Sequence, residues 1–580
     1  MTSLRAPGLG PIVGHTTATS VRIWIRASDP HDFGSRLDDT HRSIGVIATV
    51  EQNGKLLPDP RVFYFRLHRE FDRTGTFVLG SDIGIHRNWS AAEDNPFAHP
   101  PLLPGTRYKA VTGVLTLDDP FPVDMVLSDA ELAHYLPEGK AWIGALTQLM
   151  TDEQEKCAAT FTTFPDIASS GSVASLSFIL GSCRYPGLLW KIKESDRIFG
   201  PLLDEATGNG IMNRGEVTRD PIAFVFMAGD QIYADMLNRH IPVGLADTFE
   251  EFQQRYHETF GSRNMRKLLR SVPIYMILDD HEIEDNWHQD RLVRTESRRV
   301  FNLAIGAYMS YQWSHGPRSF GRYLFSRFEC GGYPCFILDT RTQRFLDDIE
   351  DSLDDNYLLG RPSLAAEEPN QLDLLLDWLQ ETQKNHGNTP KFVVTSSVFA
   401  PSPMTSRTNG KPAQDLDRAE IVRLRRSDSW PGFPETRKRL LKMLLNFSVQ
   451  NVVFLSGDIH CSNVAEIRFS SSEQAQKIKA FSIVSSALYW PFWFADGDPS
   501  HFVHDSAADD QRDTFHIDDS HRKDYRAWNF TQEDNFSRID IDRENATLSV
   551  QPFGNDGRKI TYTRGRHTRS LKAVLQLESW

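Results

Sequence analysis

The chain has 580 residues, of which 40% are hydrophobic and 24% are charged, and its formal net charge is −13. This length is enough for several domains, since one domain usually takes about 100–200 residues. The acidic balance argues against a nucleic-acid-binding scaffold, because neutralising phosphates needs a basic surface.

Neither a membrane span nor an export signal is predicted. No run of about 18 apolar residues exists, and the first residues, MTSLRAPGLGPIVGHTT, contain no apolar core and no twin arginine. The five cysteines are not spaced like a disulfide framework or a zinc ribbon. We therefore expect a cytoplasmic protein with reduced thiols and no membrane partner, and a secreted or periplasmic one only if a leader has been removed.

The first 165 residues predict an all-β domain. Residues 20–27 (SVRIWIRA) place Val, Ile and Ile on one face and Arg, Trp and Arg on the other, which is the period of a strand. Residues 63–67, 107–115 and 159–164 repeat this pattern between turn-rich stretches. Short strands separated by Pro and Gly indicate a β-sandwich over residues 1–165.

From residue 176 onward, short apolar runs alternate with amphipathic helices. The runs predict buried strands at residues 176–180, 222–227, 274–278, 335–338, 392–394 and 452–455. A helix with one leucine face precedes the strand at 392–394, and its face consists of Leu372, Leu375, Leu376 and Leu379. This alternation predicts an α/β domain over residues 166–580.

Polar side chains follow four of these strands directly. The strand ends read GSCR at 181–184, GDQIYAD at 229–235, DDHE at 279–282 and SGDIH at 456–460. Because loops at the carboxyl ends of strands build the ligand crevice of an open α/β sheet, we expect these segments to meet. Their Cys, Asp, Tyr and His side chains are all of metal-ligating types, so the pattern predicts a metal site.

Clustered carboxylates need cations, because like charges raise each other's pKa and burial adds a desolvation cost. A thiolate, a phenolate and an imidazole suit a softer transition metal, whereas carboxylates suit a harder ion. Two such ions would activate water and hold a phosphoryl group for in-line attack.

In this order, GSCR, GDQIYAD, DDHEIEDNW and SGDIH resemble the motifs of the PhoD-like (alkaline phosphatase D) family of metallophosphoesterases. The resemblance extends to LDTR at 338–341 and NFSR at 535–538. The early segments PIVGHTTATSVRIWIR and LLPGTRYKAVTGV resemble the Ig-like or fibronectin-like domain that often precedes the catalytic domain. The resemblance implies four αββα layers over residues 166–580, a dinuclear centre and hydrolysis of phosphate monoesters or diesters.

The resemblance also implies a ligand set. Four residues would hold the first ion, expected to be Fe³⁺: Cys183, Asp230, Tyr233 and His460. Asp230 would bridge to a second ion, expected to be Ca²⁺, which Asp458 would also bind. The remaining ligand is open between Asp280 and Asn286, and Zn²⁺, Mn²⁺ and Co²⁺ are alternative metals.

Two catalytic roles follow from side-chain chemistry. Arg184 would pair bidentately with a phosphate oxygen, with a plain ion pair as the alternative. His281 would donate a proton to the leaving oxygen or hydrogen-bond the phosphoryl group, with an orienting role as the alternative. A metal-activated hydroxide would be the nucleophile, so Cys183 is interpreted as a ligand. Asp339 and Arg341 are interpreted as a structural ion pair near the site.

Residues 485–498 (SSALYWPFWFADGD) concentrate aromatic side chains after a strand end. The aromatic residues are Tyr489, Trp490, Phe492, Trp493 and Phe494. They would form either a loop that covers the core or an aromatic wall that accepts the organic part of an ester.

The sequence thus predicts a metal-dependent hydrolase of phosphate monoesters, diesters or both. Its substrate would be a phosphorylated small molecule, and inorganic phosphate would be a product. One alternative is a phosphoanhydride hydrolase acting on nucleotides or short polyphosphate, and the other is a non-catalytic phosphoesterase-like binding module.

Overall fold

The computed structural model describes residues 3–28, 41–81, 100–167, 175–186, 193–209, 220–235, 245–347, 352–362, 368–401, 418, 429–470, 472–492, 502–508, 514–564 and 567–580. The chain divides into two compact units. Unit 1 contains Met1–Ser172, Phe249–Tyr275 and Gly306–Pro317, and unit 2 contains Val173–Thr248, Met276–Ile305 and Arg318–Trp580. The boundary at residue 165 stays a prediction, and two later segments also cluster with unit 1.

Unit 1 contains two antiparallel sheets. Its strands are β1 Ser3–Arg5, β2 Leu9–Thr16, β3 Ser20–Arg26, β4 Ser43–Gln52, β5 Lys55–Leu56, β6 Val62–Arg66, β7 Thr74–Gly80, β8 Arg107–Thr116 and β9 Ala158–Thr162. Six strands form one sheet in the order β1–β8–β4–β5, with β6 on β4 and β9 on β8, and β2–β3–β7 form the other. Ile23 and Phe77 of the smaller sheet share one buried cluster with Ile47 and Ala110 of the larger sheet, so the two sheets pack against each other.

Short helices complete unit 1. They span Asp129–Ala133, Ile143–Asp152, Gln154–Cys157, Phe249–Phe260 and Arg263–Leu269. The first begins with a capping box, in which Ser128 and Glu131 each bond the other's backbone N–H. Single 3-10 turns occur at Arg69–Phe71, Gly139–Trp142 and Trp313–His315.

Arg26 at the end of β3 is buried against one carboxylate. Arg26 Nε and Nη2 donate to Asp72 at 2.7 and 2.8 Å. His257 Nε2 lies 2.9 Å from the same carboxylate, and the hydroxyl of Tyr311 donates to it. Although burial opposes the shift, these bonds hold the pKa of Asp72 below its usual value. The strand alternation predicts that Arg26 faces solvent. It is buried instead, because Asp72 and its other partners compensate the charge.

Unit 2 contains two mixed sheets. Its strands are β10 Ser177–Gly181, β11 Phe224–Met227, β12 Ile274–Met276, β13 Ser326–Cys330, β14 Tyr333–Ile337, β15 Lys391–Val394, β16 Val452–Ser456, β17 Ser462–Ser470, β18 Ala480–Val484, β19 Phe515–His516, β20 Arg522–Thr531, β21 Asn535–Asp542, β22 Thr547–Gly554, β23 Thr561–Arg564, β24 His567–Ser570 and β25 Ala573–Gln576. One sheet has the order β12–β11–β10–β21–β22–β25, where β12 runs from unit 1 into unit 2. The other has the order β13–β14–β15–β16–β18–β17–β20–β19, and β23 pairs with β24 separately.

Parallel pairing dominates where the predicted strands lie. β10 pairs in parallel with β11, and β14, β15, β16 and β18 are successively parallel. Each of the six predicted strands is present, with ends shifted by at most two residues. These mixed sheets with their helices confirm an α/β fold.

The helices of unit 2 span Glu194–Arg197, Phe199–Ala206, Gln371–His386, Pro434–Asn446 and Glu473–Gln476, and Thr295–Tyr311 continues into unit 1. Gln371–His386 begins at Asn370, whose side chain accepts from the backbone N–H of Asp373 at 2.9 Å. Its leucine face packs into the core beside β14 and β15. Among the described helices, none is long and apolar enough to cross a bilayer.

Candidate metal centre

Parallel register brings the first two motif loops to one sheet edge. Gly181 at the end of β10 lies opposite Met227 at the end of β11. Beyond the strands, the backbone N–H of Cys183 donates to Gly229 O at 3.1 Å, and that of Arg184 donates to Asp230 O at 2.9 Å. The loops that carry Cys183 and Asp230 are therefore hydrogen-bonded to each other.

The loop backbone is left-handed at five of the predicted site residues. Their φ angles lie between 51° and 70°, and they are Cys183, Asp230, Asn286, Asp458 and His460. Such a conformation costs a non-glycine residue about 1–3 kcal/mol, and it concentrates at functional sites. Glu282 supports the turn at Asp230, because its carboxylate accepts from the backbone N–H of Gln231 at 2.7 Å and of Asp279 at 2.9 Å.

The structure brings together the four residues predicted for the first ion. Ligand atoms of Cys183, Asp230 and His460 all lie within 4.8 Å of one another, and the three residues are buried. The hydroxyl of Tyr233 lies 3.3 Å from Asp230 Oδ2 and 3.4 Å from His460 Nε2. Sulfur, nitrogen and oxygen donors thus surround one point.

A second group shares Asp230 with the first. Carboxylate oxygens of Asp230, Asp279, Asp280 and Asp458 also lie within 4.8 Å of one another. Asp279 is the member that the sequence did not predict. Asn286 reaches this group through its backbone, whose N–H donates to Asp280 Oδ2 at 2.6 Å, while its side-chain amide donates to Asp285.

One buried cation lies among these acids. The guanidinium of Arg341 bonds Asp279, and its Nη2 lies 3.4 Å from Asp280 and 3.8 Å from Asp458. The backbone N–H of Arg341, by contrast, donates to Asp339 at 3.1 Å. The sequence interpretation therefore missed these acidic partners, because Asp279 is 62 residues away in the chain.

The pKa shifts show that burial and neighbouring acids disfavour ionisation of several donors, a cost that bound cations would offset. Burial and then neighbouring acids raise the pKa of Asp230, Cys183 and Tyr233 well above their usual values. Burial also opposes ionisation of Asp280, but Arg341 lowers its pKa to about 2. Burial lowers the pKa of His460 to about 3, which leaves a neutral imidazole with a lone pair for a metal.

An orphaned oxygen supports the same interpretation. Asp230 Oδ1 is buried and has no hydrogen-bond partner among the described residues. Such a buried oxygen is costly unless a cation or a donor reaches it. The residues present therefore fit bound metal ions.

His281 is paired with an acid that the sequence analysis left without a role. Its Nδ1 lies 2.7 Å from Asp235 Oδ1, and its ring stacks on Tyr233 with centroids 4.3 Å apart. Burial lowers the pKa of His281, but Asp235 and the nearby acids raise it well above its usual value. Because an ionised carboxylate only accepts, Nδ1 carries a hydrogen and donates it to Asp235. Asp235 is the last residue of the GDQIYAD motif, so the sequence contained this acid but did not show its partner.

The remaining predicted residues lie beside these groups. Arg184 follows Cys183 directly and is 3% exposed. Its contact with phosphate stays a prediction. Tyr185, Tyr233 and Tyr489 form a buried aromatic cluster with Trp490 and Phe492 packed against it. The indole of Trp490 also stacks on His460, with centroids 3.5 Å apart. Trp493 and Phe494 lie outside the described residues.

Comparisons with known proteins concern the family and the fold of the chain. A model of the family described as PhoD-like phosphatase matches residues 207–549, which is more than half of the chain. Alkaline phosphatase D of Bacillus subtilis (strain 168) is 23% identical over 291 residues, and the alignment covers 47% of each protein. A solved structure described as "Structure of PhoD" is 15% identical, covers 97% of this chain and 94% of its own, and has a TM-score of 0.57. This structural likeness concerns the fold.

Proposed function

The chain belongs to the PhoD-like phosphatase family, and from this premise we propose that it is a metal-dependent hydrolase of phosphate monoesters or diesters with a dinuclear centre. One observation carries the proposal: Asp230 is shared by three adjoining groups of candidate ligand atoms, of which one adds Cys183 and His460 and the other two add His281 and the neighbouring acids. A carboxylate shared in this way is the feature expected of a residue that bridges two ions. The substrate would be a phosphorylated small molecule, with phosphate as a product.

The two positions differ in donor chemistry. Cys183, Tyr233 and His460 offer a thiolate, a phenolate and an imidazole, so the first ion is proposed to be Fe³⁺. The second position is built from carboxylates, so Ca²⁺ is proposed there. Asp280 is preferred over Asn286 as a ligand, because its oxygen belongs to the group whereas Asn286 bonds it through the backbone. Bound metal ions would lower the pKa of an attacking water and offset charge on the phosphoryl oxygens.

The chain's own residues supply binding and proton transfer. Arg184 would bind phosphate oxygens with its guanidinium. Asp235 holds the imidazole of His281 by accepting from Nδ1. As the P–O bond breaks, the leaving oxygen would take the proton from His281 Nε2.

We also propose the domain organisation implied by the family resemblance. Residues 1–165 would be an Ig-like or fibronectin-like sandwich, and residues 166–580 would be a catalytic domain of four αββα layers. The two antiparallel sheets of unit 1, with one shared core, support the sandwich. The six-stranded and eight-stranded sheets of unit 2 support the catalytic domain.

The first experiment compares p-nitrophenyl phosphate with bis-p-nitrophenyl phosphate before and after chelation. We expect hydrolysis of at least one compound, loss on chelation and recovery when metals return. Turnover of nucleotides or short polyphosphate alone would favour the phosphoanhydride alternative. No turnover with metals bound would favour a binding module.

Elemental analysis with an absorption spectrum tests the metal assignment. Iron with a visible band is expected, because a phenolate bound to iron absorbs by charge transfer. Tyr233→Phe should remove the band. Tyr185→Phe is the matched control, since Tyr185 packs edge-on against Tyr233 and is not one of the proposed ligands. Zinc alone would contradict the assignment of Fe³⁺.

A further inference from the structure

One aromatic contact at the candidate metal centre lies outside the proposed ligand set. The rings of Trp490 and His460 are stacked, with centroids 3.5 Å apart and planes within 9°. The indole also makes T-shaped contacts with Phe492 and Tyr185, with centroids 4.9 and 5.5 Å away. Such edge-to-face contacts are favourable and directional, so the indole presents a fixed surface to His460.

The backbone before Trp490 is registered against the loop that carries Cys183. Leu488 N donates to Ser182 O at 2.8 Å, and Tyr489 N donates to Cys183 O at 3.3 Å. Tyr185 N donates back to Tyr489 O at 3.1 Å. The backbone next to Trp490 is therefore bonded to the loop of Cys183, and the indole stacks on His460.

A half-buried carboxylate completes the support of this loop. The backbone N–H of Trp490 donates to Asp534 Oδ1 at 2.9 Å. Burial raises the pKa of Asp534 to about 6, and the hydrogen bond from Trp490 opposes that shift. The bond therefore stabilises a carboxylate that its surroundings disfavour.

Histidine needs such support when it binds a metal. Its χ2 torsion is broad, so an imidazole without a fixed neighbour samples orientations that point its nitrogen away from the ion. In His460 the nitrogen that faces the other donors is Nε2, which lies 3.4 Å from the Tyr233 hydroxyl. A flat ring stacked on the imidazole removes most of this rotation.

We propose that Trp490 is a positioning residue of the metal centre, whose indole holds His460 with Nε2 towards the ion, and that Asp534 holds Trp490. The inference rests on the metal site of the proposed function and is independent of the substrate. It assigns a role to one member of the aromatic stretch at residues 485–498.

The test titrates Co²⁺ into the chelator-treated full-length protein and measures its dissociation constant. Loss of a group that orients a metal ligand weakens metal binding by about 10–100-fold. We expect Trp490→Ala to weaken Co²⁺ binding by about 10-fold and Trp490→Phe to retain most of the affinity. Trp378→Phe is the matched control, because Trp378 packs on Phe336 within the core beside β14.

Tryptophan fluorescence gives a second measurement that needs no activity. Co²⁺ quenches nearby indoles, so Trp490→Phe should reduce the quenching seen on Co²⁺ addition, whereas Trp378→Phe should leave it unchanged. Circular dichroism melting curves establish that each variant is folded. If Trp490→Phe is folded and the quenching is undiminished, the stacked geometry is wrong.

Asp534 supplies a conservative pair of variants. Asp534→Asn keeps an oxygen that accepts from the Trp490 N–H, and Asp534→Ala does not. We expect weaker Co²⁺ binding only for the alanine variant, and equal weakening by both would overturn the role of this bond.

Wild-type affinity in folded Trp490→Ala overturns the inference and leaves the proposed hydrolase function intact. Wild-type Co²⁺ binding without phosphate-ester hydrolysis overturns the proposed function instead, and failure of the wild type to bind Co²⁺ refutes both.

Discussion

Asp230→Asn tests the shared carboxylate directly, because asparagine keeps the shape of the side chain and removes its charge. Without metal, an oxygen of Asp230 lies within 4.8 Å of oxygens of Asp279, Asp280 and Asp458. At that separation, two like charges repel by about 3 kcal/mol at an effective dielectric constant of about 20. Removing the charge therefore relieves repulsion with three neighbours.

The net gain is smaller than that sum. Arg341 lies among the acids and offsets part of their charge. The raised pKa of Asp230 also means that a proton already removes part of the repulsion. We expect metal-free Asp230→Asn to be more stable than the metal-free wild type by about 1–3 kcal/mol.

With metal, the order of stability should reverse. An ion at 100 times its dissociation constant stabilises the native state by about 2.7 kcal/mol, so two such ions outweigh the advantage of the metal-free variant. The variant should lose this gain because it lacks the shared anion. The assay measures thermal unfolding of chelator-treated protein with and without Co²⁺ and Ca²⁺. Hydrolysis is measured alongside, and the variant should lose it. Glu473→Gln is the control, since it removes one end of an exposed ion pair with Lys477. Destabilised metal-free Asp230→Asn that still gains stability from metals would refute the reasoning.

Three further predictions concern Asp72, His281 and Gly229. Hydrogen bonds lower the pKa of Asp72 despite its burial, so its contribution to unit 1 is complete above the ordinary carboxyl pKa of 3.8 and is lost as the pH falls below it. Asp72→Ala, which leaves Arg26 buried without this partner, should cost about 3–5 kcal/mol in denaturant unfolding at pH 7. His281→Gln should lower turnover by about 10²–10⁴-fold with metal content unchanged by elemental analysis. Gly229→Ala should lower stability by about 1–3 kcal/mol, because φ is 102° and an added Cβ would lie 2.5 Å from Asp279 Cβ.

Each of these predictions has a contrary outcome. An Asp72→Ala variant whose stability still fell below pH 4 as steeply as the wild type would place the acid-sensitive group elsewhere. Metal loss in His281→Gln would make His281 a ligand rather than a proton donor. Gly105→Ala is the control for Gly229→Ala, because φ is 58° there and the space around the added Cβ is open. Equal destabilisation by both would show that the backbone angle, and not the contact with Asp279, decides the cost.

The sequence by itself determined the local elements and the types of donor. Apolar runs such as residues 452–455 are long enough for a buried strand, and the leucine face at Leu372–Leu379 follows the helical period, so β16 and the helix Gln371–His386 were predicted within a residue or two. Polar groups that follow neighbouring parallel strands meet at one edge of a sheet, which explains why Cys183 after β10 and Asp230 after β11 lie together. His460 was also predicted to join them, but it follows β16 of the other sheet, so its place beside them depends on how the two sheets pack.

Only the tertiary structure decided which side chains face each other within the site. Asp235 pairs with His281, Arg341 enters the acid cluster, and Trp490 stacks on His460. Each contact joins segments at least 30 residues apart, and its geometry follows from loop turns with left-handed φ and from packing between elements. Periodicity reports how one element faces solvent or core, and it carries no information about the angle at which a loop leaves its strand. Packing therefore decided which cation lies among the acids and how the proposed ligands are oriented.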